Sequence, residues 1–266
     1  MRELWNFRTN RPRCKDVSSP FRRARSMTAL AAVTALLALP ACTPEQSPPT
    51  SPPSQTPSSS VTSSPDASDA RGRLAAGLQG SSPVNARLVS DPKTTLTPVE
   101  ASWLPGWQVF DVQNQTPPHP RRIFAALSEE GEALVLTGQP DAFSTMLKQA
   151  GVSVSSADVA AQVAALFLDS TKTFTTLAYR IDDADDIRWL PTLTAEQQKA
   201  RDAVISTYGD RIGPPKAEQS SSGWTVEVWM ISGADLVRHE TTIDTDGTVT
   251  DKTETVATDL PVPASR

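Results

Sequence analysis

The sequence predicts an α+β fold: a mainly antiparallel sheet of about six or seven strands, with about three helices packed on one face. Three observations lead to this prediction. Apolar residues recur at helical spacing in the middle of the chain, alternating apolar and polar residues fill its C-terminal part, and strands seldom alternate with helices. Several hairpins with segregated helices favour an antiparallel α+β architecture over a parallel sheet.

The first strands come early in the predicted domain. Segment 107–112 alternates apolar and polar residues and predicts a strand. Segments 122–128 and 133–137 flank an acidic stretch that contains Gly131, so they predict a hairpin.

Two helices follow. Segment 141–150 carries apolar residues at positions i, i+3, i+4 and i+7, and Gly151 predicts its end. Either Ser155 or Ser156 predicts the N-cap of the second helix. Four residues form the apolar stripe of that helix: Val159, Val163, Leu166 and Phe167.

A strand and a third helix come next. Segment 172–181 is rich in Thr, Phe and Tyr, which favours a strand. Segment 195–208 predicts a helix, because Thr194 and Gln197 have the spacing of a capping box.

The C-terminal part predicts a three-stranded meander. Its strands are 224–231, 236–244 and 248–255. Two-residue turns are expected at Gly233-Ala234 and at Asp246-Gly247.

The first 41 residues have the layout of a secretory signal. They contain eight Lys and Arg against two acidic residues, and segment 27–41 is uncharged. This run of 15 residues is shorter than the roughly 20 that a membrane-spanning helix needs. A translation start near Val17 would leave a more compact basic region before the run.

The apolar run ends in Leu39-Pro40-Ala41-Cys42, which resembles the lipobox of bacterial lipoproteins. Pro40 departs from the small residue usual at its position. The resemblance implies cleavage before Cys42, lipid (palmitate) on its sulfur, and attachment to the extracytoplasmic face of the cell membrane. An ordinary cleavage site near an unmodified Cys42 is the alternative.

Composition predicts the domain organisation. A signal peptide is expected over 1–41 and a disordered tether rich in Pro, Ser and Thr over 42–74. One globular domain is expected over 75–258 and a tail over 259–266. Cys14 precedes the predicted cleavage site, so the domain has no cysteine for an internal disulfide.

The charge of the mature chain argues against some partners. The whole chain has 25 Lys and Arg and 30 Asp and Glu, and removal of the leader leaves 17 and 28, a net charge of −11. Nucleic acids and anionic lipids are bound through clustered cations, so nucleic acid is not expected as a partner.

Two histidines are candidates for acid–base chemistry. If Asp246-Gly247 forms a two-residue turn, His239 lies opposite Glu254, and a carboxylate beside an imidazole is the arrangement of a general base. A half-buried strand histidine with a cross-strand partner is the alternative. His119 lies in a proline-rich loop, where it is either exposed or within reach of a ligand.

An acidic cluster is a candidate calcium site, because carboxylates at this density ligate calcium. It lacks the residue order of an EF-hand, and a solvated loop is the alternative. Its members are Asp182, Asp183, Asp185 and Asp186.

Trp224 and Trp229 are candidate binding residues. Alternation along their strand places them on opposite faces, so one faces the core and the other either is covered or forms a binding surface.

Taken together, the sequence predicts a membrane-anchored, non-enzymatic binding or accessory lipoprotein of the envelope, with an envelope protein, a glycan or a small ligand as partner and no cofactor. A small hydrolase with a histidine–carboxylate site and a solute-binding receptor are the alternatives. A receptor usually has two lobes, for which about 180 residues is short.

Overall fold

A computed structural model describes residues 67–263. The predicted signal peptide, Cys42 and most of the predicted tether lie outside this range. Within it, the helices are α1 (Ala67–Leu78), α2 (Pro83–Ser90), α3 (Pro140–Ala150), α4 (Ala157–Thr171) and α5 (Ala195–Tyr208). The strands are β1 (Thr94–Val99), β2 (Trp107–Asn114), β3 (Arg121–Ser128), β4 (Ala133–Val135), β5 (Ala178–Ile181), β6 (Lys216–Ser220), β7 (Gly223–Ser232), β8 (Asp235–Asp244) and β9 (Val249–Ala257).

The strands form two antiparallel sheets. The first sheet has the order β1-β2-β3-β4. In the second sheet β7 pairs with β8, and β8 pairs with β9. The other edge of β7 is shared, because β6 pairs with its first half and β5 with its second half.

The α+β class predicted from the sequence is confirmed, but the helices are not confined to one face of one sheet. Apolar clusters show five layers: α1 and α2, the first sheet, α3 and α4, the second sheet, and α5. Helix α4 explains the difference, because it is buried on more than one side, from Ala160 and Val163 to Leu166, Phe167 and Leu168. A helix that is apolar around most of its circumference packs between layers.

The cap signals predicted from the sequence are confirmed. Ser156 caps α4 by accepting a hydrogen bond from the Val159 amide, and Thr194 and Gln197 form the capping box of α5. Gly151 ends α3 with a φ of 61°, a conformation that favours glycine.

Helix α1 corrects the predicted tether, which was wrong for residues 67–74. Leu74 and Leu78 are completely buried. The guanidinium of Arg71 donates to the backbone carbonyls of Val89, Asp91 and Thr94 at 2.7, 3.1 and 2.6 Å. Few apolar residues, spaced four apart, are enough to hold this helix because the first sheet supplies the rest of the apolar contact.

The C-terminal segment also corrects a predicted boundary. Leu260 and Val262 are buried in the same cluster as Trp229, and the Pro261 carbonyl accepts a hydrogen bond from the Leu190 amide at 2.9 Å. Residues 259–263 therefore belong to the folded domain, rather than to a tail.

Strand β5 is shorter than the predicted strand 172–181. Its first residue, Ala178, pairs with Ser232, which is the last residue of β7. Residues 172–177 have no partner strand at this edge, so their β-branched composition does not make them a strand. They form a loop that is important for the site described next.

Candidate functional site

A cleft of about 290 Å³ opens where the end of the β2–β3 hairpin meets the loop between α4 and β5. The hairpin side of the cleft consists of Gln113, Gln115, Pro120, Arg121 and Arg122. The loop side consists of Lys172, Thr173, Phe174, Thr175, Thr176, Leu177 and Ala178. The lining therefore combines cations, amides and hydroxyls with one aromatic ring.

Arg122 is held in a fixed orientation at the hairpin side. Its Nε and Nη2 each donate to the Asp111 carboxylate at 2.8 Å, in a two-pronged ion pair. Its guanidinium carbon also lies 5.4 Å from the ring centre of Phe124 and 4.9 Å from that of Phe174. The two rings stack on each other at 6.2 Å. These contacts restrict the guanidinium on several sides.

The strands explain why these groups meet. Asp111 and Phe124 are direct partners across β2 and β3, and Gln113 and Arg122 are the next pair on the same face. This face continues into the apolar cluster around α3 and α4, which includes Val109 and Phe124. The cleft is thus the polar end of a core-facing sheet surface.

The Asp111 carboxylate and the Gln113 side-chain oxygen on the hairpin side already accept hydrogen bonds. Both Asp111 oxygens accept from Arg122, and Oδ2 also accepts from the Gln113 amide at 2.6 Å. Gln113 in turn accepts from Gln115 at 3.2 Å. Arg121 donates through Nη2 to Asn85 at 3.0 Å. Within residues 67–263, Arg122 Nη1 has no hydrogen-bond acceptor, so this donor is available to a ligand.

His239 lies elsewhere and has a different partner from the one predicted. Its Nδ1 lies 2.8 Å from Asp251 Oδ2, and the two side chains are 13% and 17% exposed. The buried Thr241 hydroxyl donates to the other Asp251 oxygen at 3.1 Å. His239, Asp251 and Thr241 are not part of the cleft lining.

The predicted pairing of His239 with Glu254 was wrong because the hairpin turn is longer than two residues. The Asp244 amide donates to the Thr248 carbonyl, so three residues form the turn, with Gly247 at a φ of 82°. The extra residue shifts the register by one and places His239 opposite Thr253.

Glu254 lies instead opposite Arg238, on the other face of the second sheet. Hydrogen bonds from the guanidinium to Glu254 and then to Glu227 raise the pKa of Arg238 above its ordinary value. Glu254 is therefore part of a charged surface network and does not support a general base.

The two tryptophans differ in burial. Trp229 is 1% exposed, packs near Tyr208 of α5, and donates to Glu227 at 3.1 Å. The predicted role of Trp229 in binding was wrong, because α5 and the C-terminal segment cover it. Trp224 is half-buried, and its indole donates to the Val154 carbonyl at 2.8 Å.

His119 and the acidic cluster lie in surface turns. His119 is exposed in the β2–β3 loop, next to Pro120 of the cleft. In the cluster, Asp186 accepts from the amides of Asp182 and Asp183, and Asp183 accepts from the amide of Asp185.

These bonds cap a short 3₁₀ turn, and Asp182 also pairs with Arg180 at 3.0 Å. Across residues 67–263, no group of three or more His, Cys, Asp or Glu side chains has the arrangement of a metal site. The cluster is best explained by turn formation.

The central residues of the cleft were not predicted from the sequence. Asp111 lies at a core-facing position between Val109 and Gln113, and a charged residue at such a position needs a buried partner. That signal was available in the alternation of β2. The identity of the partner was not, because it depends on the register between β2 and β3.

Comparison of the chain with protein-family models, with curated proteins and with solved structures finds no match. Over residues 67–263, no helix has both the length and the apolar character to cross a membrane.

Proposed function

We propose that the chain is an exported, lipid-anchored binding protein of the cell envelope, which holds a small polar ligand in the cleft between the β2–β3 hairpin and the α4–β5 loop. The observation that carries the binding role is the fixed guanidinium of Arg122 at a cleft lined by amides and hydroxyls. A concave site with a few oriented polar groups is the usual form of a small-molecule site.

The composition of the cleft favours binding over catalysis. Its lining contains no histidine, and the Asp111 carboxylate beside Arg122 already accepts three hydrogen bonds and is ion-paired. A general base needs free hydrogen-bonding capacity within reach of the substrate. The residues on both sides of the cleft instead supply groups that orient a ligand.

The N-terminal pattern supports the anchoring part of the proposal. A basic segment, an uncharged run and Leu39-Pro40-Ala41-Cys42 occur in the order that export and lipidation require. The net charge of −11 after cleavage argues against attachment to anionic lipids by charge alone, so membrane attachment of this chain would need a covalent lipid.

Ligand-observed saturation-transfer NMR tests the binding role. The full chain is screened in detergent against neutral sugars, sugar acids, amino acids and inorganic phosphate. Thr175→Trp places a large ring in the cleft, and Thr207→Trp makes the same change at an exposed site on α5. Binding that is lost only with Thr175→Trp supports the proposal. If no compound shows binding that is lost in Thr175→Trp, the cleft is not a ligand site.

A histidine–carboxylate hydrolase is the second candidate, and the His239–Asp251 contact at 2.8 Å is the observation that favours it. Hydrolysis of ester probes by the wild-type chain, abolished by His239→Gln, would establish this alternative. The solute-receptor alternative is less well supported, because the described residues lie in one compact unit and not in two lobes.

A further inference from the structure

We infer that the cleft recognises an anionic oxygen group, a carboxylate or a phosphate, through Arg121, Arg122 and Lys172. This inference rests on the proposed function, since it assumes that the cleft is the ligand site, and it adds the chemical class of the ligand. The two sources of such a group are a free small acid or phosphate and the charged group of a larger glycan.

The local charge is the first argument. Three cations line the cleft, and none of its lining residues is acidic. Two carboxylates pair with these cations from outside the lining: Asp111 with Arg122, and Asp169 with Lys172 at 3.0 Å. One positive charge remains in excess, on a mature chain whose predicted net charge is −11. Such a reversal of sign attracts an anion locally.

The Asp169 carboxylate is also shared, which strengthens this argument. Arg180 Nη1 lies 3.7 Å from Asp169, in addition to the contact with Lys172. Arg180 pairs with Asp182 as well. The single negative charge of Asp169 is therefore shared between Lys172 and Arg180, and it offsets the charge of Lys172 only in part.

The hydrogen-bonding groups are the second argument. Arg122 uses Nε and Nη2 for Asp111, so Nη1 is left for a ligand. Arg121 uses Nη2 for Asn85, and the residue as a whole is exposed. Guanidinium groups match the geometry of carboxylate and phosphate oxygens. A ligand that brings acceptors satisfies these donors better than one that brings hydroxyl donors.

Preorganisation is the third argument. The ion pair with Asp111 and the rings of Phe124 and Phe174 hold Arg122 in place before any ligand binds. Ordering a long side chain on binding has an entropic cost, and a guanidinium that is already fixed avoids most of it. Lys172 lies on the other side of the cleft, so both chain segments contribute a cation to its lining.

A matched pair of sugars tests the inference by isothermal titration calorimetry with the full chain. Galacturonic acid carries a carboxylate where galactose carries a hydroxymethyl group, and inorganic phosphate serves as a third probe. We expect galacturonic acid or phosphate to bind more tightly than galactose, with an affinity that falls as salt is added.

Charge-neutralising variants identify the residues. Arg121→Gln combined with Lys172→Gln should weaken binding of the acidic probe by at least about tenfold, since hydrogen bonds to charged groups are removed. Lys93→Gln combined with Lys199→Gln removes the same charge at exposed positions outside the cleft and should leave the affinity within about twofold.

The outcomes separate the inference from the proposed function. If galactose binds as tightly as galacturonic acid, and Thr175→Trp abolishes both, the cleft is a ligand site but the anionic class is wrong. If no probe or screened compound shows binding that depends on Thr175, both are wrong. Digalacturonic acid distinguishes the two sources of the anionic group. If it binds more tightly than galacturonic acid, the ligand is a larger glycan. If the two bind equally well, the ligand is a free small acid.

Discussion

Replacing Asp111 with asparagine should lower stability and raise the affinity of the cleft for an anion at the same time. Asp111 is 14% exposed and accepts two hydrogen bonds from Arg122 at 2.8 Å. Asparagine has nearly the same shape but one acceptor oxygen and no charge. One guanidinium N–H then faces an amide NH₂ group, and Arg122 loses its counter-ion.

The expected cost follows from the loss of one charge-assisted hydrogen bond in a largely desolvated position. Such bonds contribute about 1.5–3 kcal/mol, so Asp111→Asn should lower the free energy of unfolding by about 2 kcal/mol. In a domain of this size each kcal/mol shifts Tm by about 2–4 °C, which gives a decrease of about 4–8 °C. The excess positive charge at the cleft rises by one, so phosphate or galacturonic acid should bind more tightly.

Urea denaturation followed by tryptophan fluorescence measures the first effect, and calorimetric titration measures the second. Asp202→Asn is the matched control, because Asp202 pairs with Arg201 on the surface with a side chain that is 63% exposed. That variant should change stability by less than about 0.5 kcal/mol, as exposed ion pairs contribute little.

Two results would refute the reasoning about Asp111. A loss of stability no larger than that of Asp202→Asn would show that the ion pair does not hold Arg122. Weaker binding of the anionic probe, with stability reduced as expected, would show that Asp111 acts on the ligand directly and not as a counter-ion.

Three further predictions concern the rest of the domain. Asp251→Ala should destabilise by about 1–3 kcal/mol in urea denaturation, because it leaves the buried Thr241 hydroxyl without its acceptor. Hydrogen bonds from Thr248 lower the pKa of the Asp246 carboxyl below its ordinary value of 3.8. The ionised carboxylate therefore contributes stability above pH 3.8, and this contribution is lost as the pH falls through the lowered pKa. A ¹³C carboxyl NMR titration of Asp246 should give a midpoint below 3.8. Leu260→Ala should cost about 2–5 kcal/mol in the same denaturation assay, whereas an effect below about 0.5 kcal/mol would show that the C-terminal segment is not part of the core.

Local signals in the sequence predicted much of the secondary structure. The caps of α4 and α5 and the glycine that ends α3 depend on residues within one helical turn, and the structure confirms them. The turn at Gly233-Ala234 is also confirmed, because Ser232 and Asp235 pair directly across it.

Features that depend on distant contacts were not predicted. Helix α1 has few apolar residues and is held by the first sheet and by the bonds from Arg71. The length of β5 depends on where β7 ends, and the separation of the two sheets accompanies the burial of α4 between them. Neither fact follows from periodicity within one element.

The same distinction applies to the candidate sites. The β8–β9 turn has one residue more than predicted, and this shifts the register between the two strands. His239 therefore contacts Asp251 and not Glu254. The cleft joins a hairpin to a loop about 50 residues further along the chain, and the sequence contains no motif that links them. Charge at a core-facing position of β2 was the only local signal for it.

Lipid labelling of Cys42 is the most direct test of the claim that this is an anchored envelope protein. The full gene, Cys42→Ala and Cys14→Ala are expressed in a bacterium with a clickable palmitate analogue, and the cells are fractionated. We predict that label and membrane retention are lost only with Cys42→Ala, because Cys14 lies in the predicted signal peptide. An unlabelled wild-type chain in the medium, or label that persists in Cys42→Ala, would contradict the account.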